Sequence, residues 1–217
     1  MRKFILILLL IISNVMFADN TLYILHTNNT NGALENCYCP DHPFGAIEKR
    51  SVFIHNFIRE HPNTIVVDAG DFLSVTNRPF LDSLIIDAYN SLPYDAVLAG
   101  DQELSRENFK LYAKKLNHPF LAANFLNYFD HGLESHIIIN RGDYKIGIVG
   151  IINPKVFRFY PKEIKERIKL ENPEESISAF INEYSDSLDL IIGLTHQGHD
   201  NDVLLAELIT GLDIIVG

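Results

Sequence analysis

The chain predicts an α/β fold with mixed strand pairing, and three observations carry that expectation. Two kinds of apolar segment alternate along it, short runs of Ile, Leu and Val and longer runs with helical spacing, with turn residues between them. The short runs are apolar at consecutive positions, as strands are when both faces of their sheet are covered. Two of the segments flank Arg141-Gly142-Asp143, which predicts a hairpin and therefore an antiparallel pair in an otherwise parallel arrangement.

In chain order, Arg2 and Lys3 precede an apolar run over 4–12, a polar break at Ser13-Asn14 and a small residue at Ala18. That is the layout of a secretory signal peptide over 1–18. The run is shorter than the roughly 20 residues a permanent span needs, so cleavage before Asp19 is expected, with no permanent membrane span. Residues 19–217 then form one domain, periplasmic or secreted. Strands are expected over 21–27, 64–68, 96–99, 146–151, 188–195 and 212–216. Helices are expected over 46–60, where Phe53 and Phe57 share a face, and over 79–91, where Leu81, Leu84, Ile85 and Ala88 do. Further helices are expected over 106–116, with Ser105 as N-cap, and over 173–185 and 201–209. The hairpin joins 136–140 to 144–150.

Composition narrows the function. An apolar content of 47% supports a packed core. The net charge of −10, more negative still without Arg2 and Lys3, argues against a nucleic-acid partner. Cys37 and Cys39 are the sole cysteines, so the core and not a disulfide framework must hold the fold.

In open α/β sheets ligands gather beyond the carboxyl ends of strands. Four such ends stand out: the stretch from His26 through Asn28, Asn29, Thr30 and Asn31 to Gly32; Asp68-Ala69-Gly70-Asp71; Ala99-Gly100-Asp101-Gln102-Glu103; and Leu194-Thr195-His196-Gln197-Gly198-His199-Asp200. In this order and spacing they resemble the 5'-nucleotidase and UDP-sugar-hydrolase family, over about Leu22 to Gly217. The resemblance implies a layered α/β-β-α metallophosphoesterase-type sandwich with mixed sheets. It also implies a two-metal centre, in which cations roughly 3.5–4 Å apart activate a water beside a phosphate.

The ligand set implied by the resemblance is incomplete here. Asp71 matches the family's bridging carboxylate and His196 a histidine ligand. The family has Asp where this chain has Asn29, His where it has Asn31, and Asn-His where it has Asp101-Gln102. Asn29, Asn31 and Gln102 are therefore degenerate positions, Gln102 being unable to carry a positive charge or transfer a proton, and Asp101 stands as a third candidate ligand. The family's Gly-His-x-His segment after 212–216 and its base-holding C-terminal domain are not in the sequence, which stops at Gly217, so the domain is expected to be C-terminally incomplete. The resemblance and its gaps together imply an exported metallophosphatase-like protein that hydrolyses small phosphate esters or nucleotides only if Mn, Zn or Mg still binds, and then weakly. The rival is a catalytically inactive accessory protein that binds a phosphate-bearing ligand or a partner.

Plainer readings of the same residues stay open. Asn28–Gly32 suits a turn that tolerates positive φ, Asp71 suits a cap, and His196 suits a buried structural histidine. His199, Asp200 and Asp202 suit a solvated helix start. Asn28-Asn29-Thr30 fits a glycosylation acceptor. Cys37 and Cys39 suit a strained loop disulfide, thiol redox chemistry, or, with His42, a soft-metal site, which makes a thiol redox or metal-handling protein the third functional reading.

Overall fold

The computed structural model describes residues 21–35 and 46–217. The expected leader and Cys37, Cys39 and His42 lie outside the described residues. Among the described residues eight strands form two four-stranded sheets. The first contains β1 (Tyr23–Thr27), β2 (Thr64–Asp68), β3 (Ala96–Leu98) and β4 (Phe120–Leu121) in chain order, all parallel. The second contains β5 (His136–Arg141), β6 (Tyr144–Ile152), β7 (Leu190–His196) and β8 (Ile214–Val216). There β5 and β6 are antiparallel and the other pairs parallel. The expected hairpin thus makes one sheet mixed, and the other is wholly parallel.

Alternation along the strands explains the layers. In β2, Ile65 and Val67 face the second sheet while Val66 faces outward to helices, and all three are buried. In β6, Ile146 and Ile148 face the first sheet, while Val149 and Ile151 pack on helices at the other side. β2 and most of β6 have both faces buried, which is why they read as continuous apolar runs, whereas β5 at the sheet edge leaves Ile138 and Asn140 exposed. The first sheet is covered by α1 (Ile47–Glu60), α2 (Pro79–Tyr89), α3 (Asp101–Ser105) and α4 (Phe109–Lys115). After the short α5 (Lys162–Arg167), the second sheet is covered by α6 (Pro173–Tyr184) and α7 (His199–Leu208). The result is helix, sheet, sheet, helix. A methyl group at Gly150 would stand 2.5 Å from Leu121 Cβ, so glycine there permits the close approach of the two sheets.

Some boundaries differ from expectation. Ser105 is no N-cap: it closes α3 and its Oγ donates to the Gln102 carbonyl, while Asn108 precedes the next helix. The strand expected from 188 begins at Leu190 because Ser185–Ser187 form a 3-10 turn first. The strand expected from 212 begins at Ile214, and the helix expected from 201 begins at His199. The Gly142 turn has φ +56, and Arg141 pairs with Tyr144 across it.

Candidate metal centre

The parallel pairing of β1, β2 and β3 brings their carboxyl ends to one edge, where the end of β7 meets them. The loops there are built on left-handed backbone: φ is +50 at Asn29, +51 at Asn31, +73 at Gly32, +94 at Gly70 and +57 at Asp71. Asparagine, aspartate and glycine are the residues that accept this conformation most readily. The turned chain after β1 lies along the turned chain after β2, with the Asn29, Asn31 and Gly32 amides donating to the carbonyls of Gly70, Asp71 and Phe72, each at 3.0 Å. Asn28–Gly32 is therefore a turn, and it lies along the loop that carries Asp71.

Glu103 holds this arrangement from behind. Its buried carboxylate accepts the backbone amides of Asp71, Leu73 and Gly100, each at 2.9 Å. Burial, and secondarily the charge of Asp71, push its pKa up to about 8, against the amide bonds that lower it. Sequence reasoning included Glu103 in the strand-end stretch but gave it no role.

Asp71, Asp101 and His196 converge, with one donor atom from each lying within 4.8 Å of the others. His196 Nε2 is 2.9 Å from Asp101 Oδ1 and 3.6 Å from Asp71 Oδ1. Its other nitrogen, Nδ1, donates to the Ala69 carbonyl at 2.8 Å, since a carbonyl can only accept. Burial would lower the imidazole pKa, but the Asp101 bond and the Asp71 charge outweigh it and raise the value to about 9. Asp71 is raised by burial and by Asp101, which together prevail over His196. Asp101 is lowered despite burial, because His196 and the Tyr160 hydroxyl bond it, the latter at 2.6 Å. Tyr160 comes directly after the 3-10 turn Pro154–Phe159 that leaves β6, and no periodicity in the sequence marked it.

The degenerate positions meet one another. Gln102 Nε2 donates to Asn31 Oδ1 at 2.6 Å, and Asn31 Nδ2 donates to the Asn29 carbonyl at 2.8 Å. Gln102 Oε1 is buried with no hydrogen-bond partner among the described residues. Asp71 Oδ1 accepts the Gln102 amide at 2.9 Å, so Asp71 caps α3 while facing His196.

Comparison with known proteins places this architecture. No family model matches the chain. A 5'-nucleotidase of Bos taurus is 29% identical over 224 residues, covering 90% of this chain and 37% of that protein. A snake venom 5'-nucleotidase of Crotalus adamanteus is 27% identical, covering 90% and 36%. Among solved structures, a 5'-nucleotidase precursor from Thermus thermophilus superposes with a TM-score of 0.78 at 22% identity, covering 90% of this chain and 41% of that one. The chain is similar to 5'-nucleotidases in sequence over 90% of its length and shares their fold. A calcineurin-like phosphoesterase from Bacillus subtilis shares the fold, with a TM-score of 0.70 at 21% identity over 89% of this chain and 70% of that one.

This 5'-nucleotidase-like domain spans little more than a third of the curated relatives' length, 37% for the bovine protein. At its strand ends it brings together Asp71, Asp101 and His196, and beside them the amides Asn29, Asn31 and Gln102. Asp202 departs from the solvated reading, because it accepts bonds from Thr195 Oγ1 and Gln197 Nε2, whereas His199 and Asp200 are exposed at the start of α7. No described helix is long and apolar enough to cross a membrane.

Proposed function

We propose that this domain is an exported phosphoesterase-fold protein that holds one divalent cation, Mn, Zn or Mg, at Asp71, Asp101 and His196, and hydrolyses a small phosphate ester slowly beside it. The observation that carries the reading is the unequal donor set. Three ionisable donors face one another on one side, and on the other the neutral amides of Asn31 and Gln102 bond each other.

The residues fit a single cation. His196 donates Nδ1–H to a backbone carbonyl and turns Nε2 toward two carboxylates, the arrangement that orients a ligating imidazole. Asp101 and Asp71 supply hard oxygen donors suited to Mg or Mn, and the imidazole suits Zn. The unpartnered Gln102 Oε1 is a neutral oxygen next to this group in the chain, with no competing donor. A bound cation supplies Lewis acidity to a phosphoryl group and lowers the pKa of a water.

The chain's own residues do the rest. His196 holds a proton between Asp71 and Asp101 when no cation is bound and must release it on binding. Tyr160 fixes Asp101 through its second oxygen, and Glu103 fixes the Asp71 loop through three amides. Gln102 cannot protonate a leaving group, which limits turnover. The amide pair also favours the second reading, an inactive phosphate-ligand-binding protein of the same fold. Assays of AMP and p-nitrophenyl phosphate with Mn, Zn and Mg separate the two. Slow, metal-dependent hydrolysis abolished by Asp71→Ala supports the first reading. Binding with no turnover above the variant supports the second.

A further inference from the structure

The segment 153–160 is tied to the candidate metal centre at both ends. At its start the Asn153 amide donates to the His196 carbonyl at 3.1 Å, and the Asn153 side chain accepts the Lys155 amide at 2.9 Å. At its end the Tyr160 hydroxyl bonds Asp101. Between these points Phe157 is only 4% exposed and anchors the segment in the core. The strap is thus held over the site by residues that leave Lys155, Arg158 and Phe159 facing out.

Those three side chains line a cavity of about 490 Å³ together with His196, Gln197 and Asn201. His196 belongs both to the metal-capable cluster and to this wall. The cavity lining carries two cations against one carboxylate, Asp202, which already accepts bonds from Thr195 and Gln197; among the described residues neither Lys155 nor Arg158 is held in an ion pair, whereas Arg106, Arg141 and Lys115 are. Phe159 is 86% exposed, and the Arg158 guanidinium lies 4.7 Å from its ring centroid. The guanidinium covers one face of this otherwise exposed ring, so an anion site and the remaining stacking face stand together.

We infer that the strap grips the ligand: Lys155 and Arg158 take the phosphate of a phosphate ester and Phe159 stacks against a planar ring attached to it. The domain so carries its own anion and ring contacts, within a cavity that its metal-capable histidine also lines. This rests on the phosphoesterase reading for the direction of the phosphate, but binding to the strap requires no cation.

The test is calorimetric titration of the whole protein in EDTA with three probes, AMP, ribose 5-phosphate and inorganic phosphate. AMP is expected to bind wild type more tightly than either other probe. Lys155→Ala with Arg158→Ala should weaken AMP and phosphate at least about tenfold, the loss expected for a charged hydrogen-bonding pair. Phe159→Ala should weaken AMP about fivefold or more and leave phosphate within about twofold, because only the stacked ring loses its face. AMP affinity unchanged in the double variant, or no AMP binding by wild type in EDTA, overturns the proposal. Failure of the metal reading shows separately, as absence of Mn binding by wild type in a titration without EDTA. The strap variants should leave Mn binding unchanged.

Discussion

Asp68 ends β2 fully buried, with its carboxylate accepting bonds from Thr27, Tyr89 and the Gly70 amide. Burial dominates those bonds and lifts its pKa to about 6 from 3.8. A carboxyl whose folded pKa is raised favours the folded state while protonated. Its contribution is therefore fully present below the unfolded value and is lost as pH rises from about 4 through 6. By that linkage, wild type should lose up to about 3 kcal/mol of stability across this window relative to Asp68→Asn, measured by urea denaturation at each pH. Parallel curves for the two proteins would count against the buried charge. Glu103 gives a second expectation at this scale. Glu103→Ala leaves three buried amides without an acceptor and should cost about 3 kcal/mol or more, with loss of metal binding as the Asp71 loop relaxes. Thermal melts and Mn titration check the two effects together.

At the scale of elements, the two sheets approach closely where Gly150 of β6 faces Leu121 of β4 and Leu98 of β3. Gly150→Ala should destabilise by about 1–3 kcal/mol through overpacking, read as a lowered denaturation midpoint. Long elements were legible in the sequence because their pattern repeats: residues 46–60 and 173–185 became helices within a residue of those limits. β4 was not, since two residues hold no period, and α3 was hidden inside the strand-end stretch that also carries Asp101. The site was partly legible for a related reason. Asp71, Asp101 and His196 all come at strand ends, and Asp71 and His196 match residues of a known family, whereas Asp101 stands where that family has an amide and the structure adds its 2.9 Å approach to His196. Tyr160 and the strap act through tertiary contacts 59 positions from Asp101 in the chain, which local pattern cannot report. Tyr160→Phe removes the bond to Asp101 and should weaken metal binding about 10–100-fold, as loss of a partner behind a ligand does. Unaltered Mn affinity in that variant would show Asp101 to be held without it.

For the whole molecule, the fold is retained while the donor set is lopsided. Asp71 and Asp101 gather beside His196, and on the other side the neutral amides of Asn31 and Gln102 bond each other. If the frame is intact, Asn29→Asp with Asn31→His and Gln102→His should raise metal capacity and phosphatase rate far more together than the sum of the single changes, because residues acting as a unit in catalysis are not additive. Single repairs should do almost nothing. The central claim is tested most directly by counting ions: equilibrium Mn titration of the wild-type protein, monitored by manganese resonance, beside Asp71→Ala and His196→Ala. One ion per wild-type chain, lost in both variants, is the result the account predicts. Two tightly held ions per chain, none at all, or one that survives both substitutions would contradict it.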